Sequence, residues 1–169
     1  MVINLYEDCT MIIWDCSDYS RFLRDKQFRK GIRLRFESGV DPIVRQAILD
    51  FITWAKQSFA FPLRLVIYVK ATDRIKAKDG DLVCGTLFRP DDYPVEPYIR
   101  LATGDYSALE KENGRDNALA SILWSLAHEI THYYQYINRT DLSLRGEEIQ
   151  ASRTASMIID QYAQTRDHP

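Results

Sequence analysis

The sequence predicts a single α+β domain over residues 1–169, in which a small mixed or antiparallel sheet packs on an early helix and on the first of two long C-terminal helices, the second following it. Three observations predict it. Asp41-Pro42 opens a stretch with apolar residues at helical spacing, three short runs rich in β-branched and aromatic residues follow it, and the last third of the chain returns to helical periodicity.

Taken in order, residues 1–30 form an N-terminal extension, and Ile32 to Glu37 alternates basic and apolar residues as a half-exposed strand does. Asp41 caps free backbone amides and Pro42 at the first helical position has no amide to leave unpaired, so a helix starts there and runs to about Phe59. Ile43, Ala47, Ile48, Phe51, Ile52 and Ala55 make its apolar stripe, and Pro62 stops it. Leu63 to Lys70, Leu82 to Phe88 and Tyr98 to Thr103 read as strands, the last two separated by a Pro-containing loop. Ser107-Ala108-Leu109-Glu110 fits a capping box for a short helix ended by Gly114. Long helices follow from about Asp116 to Asn138 and from about Gly146 to Thr165.

Composition excludes several classes. With 46% apolar and 27% charged residues, the chain is neither disordered nor collagen-like, and no apolar run reaches bilayer length. A net charge of −2 argues against a protein whose main task is neutralising phosphates, so nucleic acid is not the expected partner. Charge is nonetheless uneven: Arg21, Arg24, Lys26, Arg29, Lys30, Arg33 and Arg35 follow an acidic first twenty residues. That run reads as a solvated face or as a docking patch. Cys9, Cys16 and Cys84 are too few for a disulfide framework, no CxxC pair builds a zinc ribbon, and no leader is visible, so a cytoplasmic location is expected.

The informative residues are the histidines. Of three, two stand four apart as His128 and His132, with Glu129 between them, inside the second long helix. Side chains four apart lie on one face of a helix about a turn from each other, so two imidazoles so placed can grip one metal ion. Glu129 is rotated off that axis and can orient a water at the metal and accept its proton without ligating. Shuffling this composition produces H-E-x-x-H in roughly 0.2% of chains, so chance is a poor account of it. Leu119, Ile122, Leu123, Leu126, Ala127 and Ile130 supply the apolar helix that would bury the ligands.

A catalytic zinc usually has three protein ligands. Gln135 and Asn138 stand where the longer metzincin pattern needs glycine and histidine, which leaves Asp141, Glu147 and Glu148 as candidates. Glu148 heads the inward stripe of Ala151, Ala155, Ile158 or Ile159 and Tyr162, whereas Glu147 is turned aside. A carboxylate on such a stripe is costly to bury without a cation, so Glu148 is the expected third ligand.

The stretch from Leu126 to Tyr162 resembles the gluzincin division of zinc metallopeptidases. The resemblance rests on Ala127-His128-Glu129-Ile130-Thr131-His132-Tyr133-Tyr134-Gln135 and on Glu148-Ile149-Gln150-Ala151-Ser152. It implies a zincin-like fold and a peptidase in which His128, His132 and Glu148 hold zinc and Glu129 is the general base. It also implies that the last strand before the active helix is a sheet edge that holds a peptide or protein substrate by main-chain pairing, matched here by Tyr98 to Thr103. Ser152 stands where many such enzymes place an aspartate that braces a histidine ligand. The resemblance further implies an oxyanion-stabilising residue, to be sought among Tyr133, Tyr134, Tyr136, Tyr162 and His168. Two other readings stand beside this one: a zincin-like metal-binding or interaction module without appreciable catalysis, and an SprT-type protease acting near DNA. A Cys9 or Cys16 thiolate on the zinc would make a latent enzyme.

Overall fold

Asp41 accepts a hydrogen bond from the Ile43 amide at 2.8 Å, and with Pro42 in the first turn this starts helix α1 (Pro42–Ser58) as the sequence predicts. The computed structural model describes residues 12–15, 29–91 and 95–169. Strand β1 (Ile32–Phe36) precedes α1, and β2 (Leu65–Lys70), β3 (Ile75–Lys76), β4 (Leu82–Val83), β5 (Gly85–Phe88) and β6 (Tyr98–Ala102) follow it. The chain ends in α2 (Tyr106–Asn113), α3 (Arg115–Asn138) and α4 (Leu144–Ala163).

The architecture is α+β with a small mixed sheet of order β1-β2-β6-β5. β1 pairs with β2 in parallel, α1 forming the crossover, and β2 pairs with β6 in parallel. β5 pairs antiparallel to β6 and, among the described residues, forms one edge of the sheet, β1 forming the other. Leu65, Ile67, Val69, Ile99 and Leu101 point inward and are buried against Val44, Ile48 and Phe51 of α1 and Leu119, Leu123 and Leu126 of α3. No helix among the described residues is long and apolar enough to cross a membrane.

Four expectations are corrected. Leu82 to Phe88 is two strands, because Leu82 and Val83 turn back onto Lys76 and Ile75 while Gly85 to Phe88 pairs with β6, the partner changing at Cys84. Tyr98 to Ala102 is not an edge, since it is hydrogen-bonded to β2 and β5; the exposed edge beside α3 belongs to β5. Ser107 is not a cap: α2 begins at Tyr106, one residue before it, and the side chain of Asp105 at the cap accepts no hydrogen bond from the helix's own amides, being turned to Arg74 instead. α4 begins at Leu144, two residues before Gly146, because Ser143 accepts from the Gly146 amide at 3.1 Å.

Ile12 and Trp14, assigned by sequence to the extension, are buried in the core. Trp14 stacks on Tyr134 with centroids 5.3 Å apart, and its indole N–H donates to Thr131 Oγ1 on α3 at 3.0 Å. The acidic strip at Glu7, Asp8 and Asp18, the basic residues Arg21, Arg24 and Lys26, and Cys9 and Cys16 lie outside the described residues.

Candidate metal centre

α3 is buried along the face that carries Leu126, Ala127, Ile130 and Tyr133, and this sets His128, Glu129 and His132 where α3 meets the edge strand. α3 ends at Arg139 in the left-handed conformation (φ 50°), and the following turn returns α4 along α3. That reversal carries Glu148 to the histidines.

The Nε2 atoms of His128 and His132 are 3.1 Å apart. Glu148 Oε2 is 3.3 Å from His128 Nε2, and Glu148 Oε1 is 3.2 Å from His132 Nε2. One ligand atom from each residue falls within 4.8 Å of the others. Tetrahedral bonds of about 2.0–2.1 Å set ligand atoms roughly 3.3–3.4 Å apart, so the donor set fits a small divalent ion with little movement. Burial lowers the His128 pKa below its ordinary value, and the neighbouring His132 lowers it further, favouring the neutral, ligating form.

Glu148 reaches this position differently from the expectation. Its side chain is 64% exposed, because the stripe of α4 is buried only from Ala151 onward and Glu148 sits at the rim. Glu147 is the more buried of the two and is held away by Arg89, whose guanidinium donates to both carboxylate oxygens at 3.1–3.3 Å. Asp141 is exposed in the α3–α4 turn and is not part of the cluster.

Gln135, to which the sequence alone gives no role at the metal, supports the site. Its Nε2 donates to the Glu147 carbonyl and to Gln150 Oε1, both at 2.9 Å, which turns its Oε1 toward His132 Nδ1 at 2.7 Å. An amide oxygen there places the proton on Nδ1 and leaves the Nε2 lone pair facing His128 and Glu148. Its position three residues after His132 on the same helix was the available signal. Ser152 Oγ lies 3.5 Å from His128 Nδ1, a much weaker restraint.

Glu129 is 8% exposed and packs under Gly85 of β5, where an added Cβ would lie 2.9 Å from Glu129 Cγ. Only glycine permits that approach. Burial pushes the Glu129 carboxyl up to about 7 and the Glu148 charge adds to the shift, while the Leu87 amide, donating to the carboxylate, and Arg89 oppose it.

These groups line one cleft of about 430 Å³ between β5 and α3, with Arg89, Trp124 and Cys84 on its walls. None of the five oxyanion candidates lines it. The hydroxyls of Tyr133, Tyr134 and Tyr136 donate to the carbonyls of Leu63, Ala60 and Pro90, Tyr162 packs against Phe51 and Trp54, and His168 pairs with Asp116 at the surface. Compared with protein-family models, curated proteins and solved structures, the chain has no match in any of the three.

Proposed function

We propose that this chain is a zincin-like, zinc-dependent metallopeptidase that hydrolyses peptide bonds with water. The observation that carries the reading is the convergence of His128 Nε2, His132 Nε2 and the Glu148 carboxylate, with Glu129 beside them in the same cleft but outside the donor set. Two imidazoles and a carboxylate suit zinc. When bound, zinc would supply Lewis-acid activation of water and of the scissile carbonyl.

The chain's own groups account for the rest. Gln135 orients His132, and the Gly85–Glu129 contact holds the general base against the cleft wall. Glu129 accepts a proton as the water oxygen bonds to the carbonyl carbon, and delivers it to the amine nitrogen as the C–N bond breaks; a carboxyl shifted toward neutrality suits both transfers. An extended peptide laid along β5 would meet an edge strand whose other side is already paired with β6. The weak Ser152–His128 contact favours a second reading, a zincin-like module that binds metal without appreciable catalysis.

Zinc content and cleavage of a broad peptide library, measured on wild type and three variants, test both. Glu129→Gln should retain zinc and lose hydrolysis by about 10²- to 10⁴-fold. His132→Ala and Glu148→Ala should lose zinc. Equal turnover in Glu129→Gln overturns the mechanism, unchanged zinc in Glu148→Ala moves the third ligand elsewhere, and zinc without cleavage in wild type selects the second reading.

A further inference from the structure

The sheet face turned away from the helices carries none of the three residues that converge as metal donors. Strand alternation places Arg35 of β1, Tyr68 of β2, Tyr98 and Arg100 of β6, and Thr86 and Phe88 of β5 on that face. The register aligns Arg35, Tyr68, Arg100 and Thr86 in one row across the sheet, with Tyr98 and Phe88 side by side in the next. Among the described residues, α1 and α3, the helices that pack on this sheet, bury its opposite face.

Two features of this face stand out chemically. Tyr68 and Phe88 are 40% and 41% exposed, and Tyr98 joins them: it meets Tyr68 edge-on at 5.8 Å and stacks on Phe88 at 4.9 Å. A continuous row of rings therefore crosses three strands. Beside it, the β3–β4 hairpin brings in Lys76 and the adjoining Lys78, tied to the sheet where Arg100 donates to the Lys76 carbonyl at 3.1 Å. The groove between them is about 430 Å³ and, among the described residues, is lined by Lys76, Lys78, Arg89 and Arg100 with no carboxylate. Arg89 is neutralised by Glu147, but Lys76 and Lys78 have no ion pair among the described residues, and Arg100 Nε is buried there without a hydrogen-bond partner.

A chain of net charge −2 thus gathers cations around exposed rings on one surface. The complementary ligand is a polyanion with free planar faces. We infer that this face binds single-stranded nucleic acid, with bases stacking on Phe88, Tyr98 and Tyr68 and phosphates meeting Arg100, Lys76 and Lys78. A duplex hides its base faces from such rings, and an acidic peptide satisfies the cations without using a row of three aromatics. Binding there does not depend on the metal centre, although the groove shares Ala77, Thr86, Leu87 and Arg89 with the metal cleft across β5.

Fluorescence anisotropy with short labelled oligothymidylate and oligouridylate tests it, with duplex DNA and an oligoglutamate peptide as competitors. Both single strands should bind at low salt and weaken steeply as salt rises. Lys76→Gln with Lys78→Gln should reduce the log–log salt slope by about 0.7 for each phosphate that is no longer neutralised. Phe88→Ala should weaken binding roughly 5- to 150-fold with the slope retained, and Tyr68→Ala is the second ring variant should Phe88→Ala fail to fold. Nucleic-acid binding by this face is overturned by no binding at low salt, by wild-type affinity in the lysine and ring variants, or by duplex or oligoglutamate competing as well as the single strands.

Discussion

Replacing Gln135 with leucine removes one amide from a site that is 1% exposed while keeping nearly the same volume. Three hydrogen bonds disappear: the 2.7 Å contact that holds His132 Nδ1, and the two 2.9 Å bonds to the Glu147 carbonyl and Gln150 Oε1. Net losses of about 1 kcal/mol per bond, partly offset by the buried leucine methyls, predict a fall in stability of about 1–3 kcal/mol. The larger signature is in the metal. Removing the group that fixes a ligating imidazole's proton and orientation lowers affinity about 10- to 100-fold, equivalent to about 1.4–2.7 kcal/mol. Zinc affinity would be measured by competition with a chelating dye on protein shown to be folded by circular dichroism. Gln150→Leu is the control, because it breaks one outward bond and leaves the His132 contact in place. A folded Gln135→Leu protein with wild-type zinc affinity would refute the claim that Gln135 orients His132.

Gly85→Ala should force Glu129 away from its seat, since the new Cβ falls 2.9 Å from Cγ and 3.4 Å from Oε1. Thermal unfolding should show a loss of about 1–3 kcal/mol, and hydrolysis should fall with zinc content unchanged; an unaltered unfolding temperature would show that the contact is relaxed without cost. Trp14→Ala should cost about 3–5 kcal/mol in urea unfolding, because the ring is 1% exposed and packs on Phe59 and Tyr134. A fall of less than about 1 kcal/mol would mean that this segment does not belong to the core.

Local elements were largely legible. α1 starts where Asp41-Pro42 requires, and β1, β2, β6 and α3 agree with their periodicity to within one or two residues at most ends, because each is governed by its own capping or alternation. The break at Cys84 was not legible: Leu82 to Phe88 has strand character throughout, and only the choice of pairing partner divides it. Trp14 was missed for a related reason, since its partners lie at Phe59, Thr131 and Tyr134 and four described residues carry no period.

The α+β composition and the local placement of His128, Glu129 and His132 follow from residue order alone, because helical spacing is a short-range property of the backbone. Residue order also singled out Glu148, though by an argument from burial that does not hold for a side chain 64% exposed. Tertiary structure decided which strand forms the edge, which amide steadies His132, what Gly85 allows Glu129 to do, and where the cations collect. Those features depend on distances between segments far apart in the chain, and a net charge or a periodicity averages over that arrangement.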